Sequence, residues 1–264
     1  MSFQPVLPLS GYTGWRFLQR TLDSQQEAFS NSGPVKTAAE YFRENISKAA
    51  TAEDLVADRR LLGVALGAFG LDEDIDAKAF IKKVLAEGTL EKDALASKLS
   101  DKRYARLAEA FGYGNAGPRV WMEGFADEII DKYQAKQFQV AVGEQNESLR
   151  LALNVTAGLE EIGAAEKTDN AAWFGMMGNG PLRAVFEGAL GFPKSFGKID
   201  LDQQLDQFRS RAQSTFGTSD MAEIAGDPQL QEKLVRLYLI RSEASAMTSL
   251  SGANAALTLL SNLR

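Results

Sequence analysis

A chain of 264 residues with 45% hydrophobic and 24% charged side chains has ordinary globular usage and enough length to bury a full core. It contains no histidine and no cysteine, which removes the imidazole base, the Ser-His pairing, thiol catalysis, disulfides and Cys/His zinc sites together. A formal charge of -6 argues against a nucleic-acid partner, because phosphate backbones require a concentrated basic face.

The N-terminal residues up to Ser10 carry two prolines and no positively charged leader, so export by a cleaved signal is not expected. A helix follows, with Tyr12, Trp15, Leu18 and Leu22 as one apolar stripe running to about Ser30. Asn31, Ser32, Gly33 and Pro34 stop that helix and start a second, which carries Val35, Ala38, Ala39, Tyr41, Phe42 and Ile46. Thr51 with Asp54 reads as a capping box opening a third. The longest nearly apolar run, Leu61 to Leu71, suits a buried core helix and is too short to cross a bilayer core of ~30 Å, so no membrane insertion is expected and the protein reads as soluble.

From Pro118 the stripe continues through Val120, Met122, Phe125, Ile129, Ile130 and Tyr133, then loosely through Phe138, Val140, Leu149, Leu153, Leu159 and Ile162. Gly143 and the polar stretch Glu144 to Ser148 are expected to break or kink it. No alternating β-branched run appears, so the fold class is all-α. Leu61, Val64, Gly67, Ala68, Phe69, Gly70 and Leu71 match Leu182, Val185, Gly188, Ala189, Leu190, Gly191 and Phe192 at one constant offset, with a shorter echo at Ala110 to Tyr113. In each, glycine after a helical stretch reads as a left-handed helix stop with the next apolar residue packed back. A single helical unit spanning 1–264 is therefore expected, with internal repeats at about 34–117 and 169–245. Linking helices occupy about 118–164, and terminal helices about 12–30 and 246–264.

Several groupings imitate functional sites. Asp72, Asp74 and Asp76 alternate as in a calcium loop, but Ala77 stands where that loop needs glycine and Lys83 where it needs glutamate. They read as acids at a helix start. Gly175, Gly178 and Gly180 have no preceding strand and no Gly-Lys-Ser/Thr after them, so they read as an interhelical loop. Tyr133 and Lys136 sit one residue short of a reductase spacing. Arg59 with Arg60, and Lys82 with Lys83, are balanced by nearby acids and read as solvated helix faces. No catalytic residue, cofactor or metal site is expected.

The two ends offer apolar stripes for a partner helix: Tyr12, Trp15 and Leu18 at the first, and Ala253, Leu257, Leu260 and Leu263 at the last. Packing of both terminal helices on the core is the plainer reading of the same residues. A helical pocket between the repeats, lined by Trp173, Phe174, Met176 and Met177, is the alternative, with small-ligand binding or a minor enzyme activity as its function.

Pro8 to Arg20, Tyr41 to Ile46 and the duplicated Ala-apolar-Gly-apolar element resemble a bacterial, mostly alphaproteobacterial family known as domain of unknown function 1217. The resemblance covers most of the chain. It implies no activity and no catalytic residues; it implies several copies of one repeat and a flagellar setting, since the family's genes lie among flagellar genes and some members are labelled rod or basal-body proteins. The chain lacks the long terminal heptads and β-rich insert of a rod protein. A non-enzymatic interaction or assembly protein with protein partners, flagellar components among them, is the resulting expectation. Its compartment is then the cytoplasm, or the exterior by way of the flagellar export apparatus.

Overall fold

A computed structural model of the protein describes residues 3–99, 101–165 and 168–261. Among them there is no strand, and the fold is all-α. Eight helices lead from the N-terminus to the middle of the chain: α1 (Gly11–Ser30), α2 (Gly33–Asn45), α3 (Ala52–Ala57), α4 (Arg59–Ala68), α5 (Lys78–Glu87), α6 (Leu95–Lys98), α7 (Arg103–Phe111) and α8 (Phe125–Gln145). Six follow: α9 (Glu147–Ala165), α10 (Asp169–Gly178), α11 (Gly180–Leu190), α12 (Leu201–Phe216), α13 (Met221–Gly226) and α14 (Pro228–Ser261).

Local chemistry sets most of these boundaries. Pro34 occupies the first turn of α2, where its missing N–H costs nothing. At α3 the Thr51 hydroxyl accepts the Asp54 N–H at 3.1 Å while the Asp54 carboxylate accepts the Thr51 N–H at 2.9 Å, the reciprocal capping box expected from the sequence. Asp58 caps α4 by accepting from the N–H groups of Arg60 and Leu61 at 2.9 and 3.1 Å. The break expected around Gly143 to Ser148 falls at Asn146: Gly143 stays inside α8, and the Asn146 amide oxygen accepts the Leu149 N–H at 3.0 Å to begin α9.

The matched glycines end their helices in the same way. Gly70 (φ 68°) and Gly191 (φ 71°) take the left-handed conformation, and the next residue's N–H reaches back to the last turn, Leu71 to the Leu66 carbonyl and Phe192 to the Glu187 carbonyl, both at 2.9 Å. Cations then sit on the exposed carbonyls, where the helix dipole is negative. Arg103 donates to the Gly70 carbonyl. Arg211 donates to the carbonyls of Leu190 and Gly191 at 2.8 Å, and Arg241 to that of Ala189 at 2.7 Å.

The expected single unit divides into two by its contacts, Met1–Val6 with Thr21–Ala141, and Leu7–Arg20 with Val142–Arg264. The stretches 34–117 and 169–245 fall one in each unit. In the first unit α4 packs against α2 and α3, and α5 against α3 and α7. Phe42, Leu55, Leu62, Leu66, Ile81 and Phe111 are buried together in its core, with Phe125 edge-on to Phe111 at 5.3 Å. In the second unit α11 is central, touching α9, α10, α12 and α14. Its Leu182, Val185, Phe186, Ala189 and Leu190 are all buried.

Two positions read as part of the apolar stripe after Pro118 are exposed instead. Met122 lies in the turn that precedes α8, and Val140 faces solvent on α8. The turn from Pro118 to Gly124 delays the helix start, which leaves Met122 outside the helix that carries Phe125, while Val120 still reaches the core.

Candidate functional site

The N-terminal aromatic stripe is fastened down. In α1, Tyr12 donates its hydroxyl to Glu232 of α14 at 2.8 Å, Trp15 donates its indole N–H to the same carboxylate at 3.4 Å, and Arg16 pairs with it at 3.8 Å. Ser10 donates to Glu243 at 3.0 Å one side further along α14. Trp15 is 7% exposed and Leu18 0%, so neither offers apolar surface to a partner. Of the stripe Tyr12, Trp15 and Leu18 offered by the sequence, Trp15 and Leu18 are buried and Tyr12 is half-buried, with Glu232 accepting two hydrogen bonds and pairing with Arg16.

The C-terminal stripe stands differently. Ala244, Ser245, Ala246 and Thr248 are exposed, next to the Glu243 that accepts from Ser10. The backbone remains helical to Ser261. The side chains of Ala253, Leu257 and Leu260, and the whole of Leu263, lie outside the described residues.

The expected pocket residues separate into two sets. Trp173 and Met176 are completely buried in the second unit: the Trp173 ring lies edge-on to Phe186 and stacked on Phe208, and its N–H donates to the Ser219 carbonyl at 3.0 Å. Both belong to the core of that unit. Phe174 and Met177 do come together with Gly178 and Leu201 around an open apolar notch of about 340 Å³. The glycine-rich loop expected between Gly175 and Gly180 is one residue long, because Gly175 and Gly178 belong to α10 and Asn179 caps α11 through the Leu182 N–H at 3.2 Å. A glycine on a helix that is packed on its other face need not end it.

A second depression, of about 320 Å³, opens in the first unit between α2, α4, α8 and the 3-10 turn Asp72–Asp76. Its lining includes Arg59, Arg60, Gly63, Asp72, Ile75 and Tyr133. The Arg60 guanidinium lies over the Tyr41 ring at 3.5 Å, and the Tyr41 hydroxyl donates to Asp58 at 2.6 Å. Arg59 pairs with Asp76, and Gln137 donates to Asp72 at 2.7 Å. The sequence showed Arg59 and Arg60 only as a solvated pair. Gly63 and Gly67, four apart and therefore on one helix face, were the available signal that something approaches α4 closely there. The aspartates that imitate a calcium loop are each engaged elsewhere, Asp74 by the Tyr104 hydroxyl at 2.7 Å. Among the described residues no group of acids is arranged to hold a metal ion, and no helix is long and apolar enough to cross a membrane.

The titratable groups give a definite pH profile. Burial pushes the Asp58 carboxyl up, but bonds from Tyr41, Leu61 and Arg60 outweigh it and hold it below the usual range. Bonds from Lys132 and Arg150 hold Glu128 and Glu147 low in the same way. All six tyrosines are raised. Tyr104 is pushed up to about 12, first by burial and then by its bond to Asp74. Lowered acids stabilise above their unfolded pKa and lose that contribution as pH falls through the folded one; raised tyrosines hold protons that the unfolded chain has released, so stability falls as pH rises from about 10 to about 12. With no histidine between, urea midpoints are expected to stay level from about pH 5.5 to 9 and fall at both ends. A step near pH 6 to 7 contradicts this.

A family model described as "Protein of unknown function (DUF1217)" matches residues 68–249. The chain is also similar to a solved crystal structure of a protein from Agrobacterium tumefaciens, 28% identical, with a TM-score of 0.73 over 91% of this chain and 98% of that one. No curated protein matches.

Proposed function

We propose that this chain, which belongs to the DUF1217 family of proteins of unknown function, acts without catalysis, by binding other proteins through the last part of α14. One observation carries the reading: Ala244, Ser245, Ala246 and Thr248 of α14 are exposed, and the backbone stays helical to Ser261. From Ala244 to Leu263 the sequence holds no charged residue. A helix of this length reaches about 27 Å beyond Glu243, and its Leu257, Leu260 and Leu263 repeat at a spacing that suits a partner helix. A long uncharged helix whose sequence carries an apolar stripe is an ordinary docking element for a partner helix.

A flagellar setting for the partner follows from the family resemblance, in which the genes lie among flagellar genes. The paired helix ends at Gly70 and Gly191 support a further part of the reading, that the two units descend from one repeated helical module. In each, a glycine three residues earlier seats a tyrosine ring, Gly67 with Tyr133 and Gly188 with Tyr238.

Deleting residues 246–264 tests the binding role. The truncated protein is expected to keep its urea midpoint, because the residues before the cut are already exposed, and to lose flagellar structural or export components that the full chain captures from its own cells. A folded truncation that retains every partner removes the proposal.

A further inference from the structure

Within the first unit, the depression beside α4 has features of a small-ligand site that are independent of α14. Its size of about 320 Å³ lies at the lower end of small-molecule pockets. Its floor is shaped by the missing side chain of Gly63, where an added methyl meets only the Ile75 Cδ1, at 4.0 Å. Val64, Ile75 and Ala38 make that floor apolar. Tyr133 is kept at its edge by Gly67, where any methyl would lie 2.8 Å from the ring.

The charged groups at the rim are not equivalent. Arg59 is neutralised by Asp76. Asp58 spends one oxygen on two backbone N–H groups and the other on the Tyr41 hydroxyl. That leaves the Arg60 guanidinium over the Tyr41 ring at 3.5 Å, near the charge of Asp58 but without a side-chain hydrogen bond among the described residues. A guanidinium held over an aromatic ring keeps its N–H fork available, and that fork matches the two oxygens of a carboxylate.

We propose that this cleft binds a small organic acid, its carboxylate on Arg60 and its compact apolar body over Gly63, Val64 and Ile75. A phosphate suits it less well. Asp72 lines the cleft, Asp76 pairs with Arg59 and Asp58 lies near Arg60, so the local charge opposes a dianion more strongly than a monoanion, and the apolar floor favours a hydrocarbon body over a second polar head.

Fluorine NMR of para-fluorophenylacetate and para-fluorobenzoate against the full-length protein tests the site, with para-fluorophenylacetamide as the uncharged comparator. The acids are expected to bind with a sub-millimolar dissociation constant. Arg60→Gln should weaken them roughly ten- to hundredfold, the worth of a charge-assisted pair, and the amide should bind correspondingly less well. Gly63→Val should abolish binding while leaving Arg60 and Tyr41 in place. If that variant does not fold, Gly63→Ala supplies a graded version with room for its methyl. Absence of binding by both acids at about 10 mM, or binding that survives both Arg60→Gln and the filled floor, overturns the proposal.

Discussion

Replacing Trp173 with alanine is expected to lower the unfolding free energy by about 3–5 kcal/mol, as for other large aromatic deletions in closed cores. The ring is 0% exposed and sits 5.9 Å from Phe186 and 6.0 Å from Phe208, in one edge-on and one stacked contact. Alanine removes both contacts and leaves the Ser219 carbonyl, which accepts the indole N–H at 3.0 Å, without that donor. Against a typical domain stability of about 5–15 kcal/mol, such a loss removes a large share of the margin that keeps the chain folded. Trp173→Phe keeps most of the volume and should cost about 1–2 kcal/mol. Urea unfolding followed by circular dichroism measures both, and a cost below about 1 kcal/mol for alanine would mean that the site relaxes around the loss.

Glycine-to-alanine changes at two helical positions are expected to have opposite signs. In an open helix interior the change stabilises by about 0.5–1 kcal/mol, because alanine loses less backbone entropy. Gly163 of α9 is exposed and has nothing within 4 Å of an added methyl, so Gly163→Ala should gain about that much. Gly188 of α11 has the Tyr238 ring 2.7 Å from the same position, closer than real methyl contacts come. Tyr238 is itself buried and α14 is packed along α11. The ring therefore cannot swing away freely, and Gly188→Ala should cost about 1–3 kcal/mol despite its better propensity. Gly67→Ala, with Tyr133 at 2.8 Å, should follow Gly188. Thermal or urea midpoints of the three variants decide the matter; a gain at Gly188 would show that the helices spread at little cost.

Helix ends were the most legible part of the molecule, because the residues that set them act within one turn. Thr51 with Asp54, Pro34, Gly70 and Gly191 each do locally what their chemistry requires. The all-α class followed from periodicity, which α4 and α11 satisfy through Leu61, Leu62, Val64, Leu182, Val185 and Phe186. Which face of a terminal stripe is covered was not legible. The partner that turns Tyr12 and Trp15 inward is Glu232, some two hundred residues away in sequence. Arg60 was hidden for a related reason: its neighbours Tyr41, Ile75 and Tyr133 come from α2, a 3-10 turn and α8, and no spacing rule connects them. Phe174 and Met177 were legible as apolar, but not as rim residues in contrast to the buried Trp173 and Met176.

The most direct measurement of the binding role is site-specific photocrosslinking in the native cells, with a photoreactive amino acid at Leu257 and, as control, at exposed Gln207 of α12. A discrete covalent adduct with another protein from Leu257, absent from Gln207, is the predicted result. No adduct from Leu257, or the same pattern from both positions, would contradict a docking helix at the end of α14.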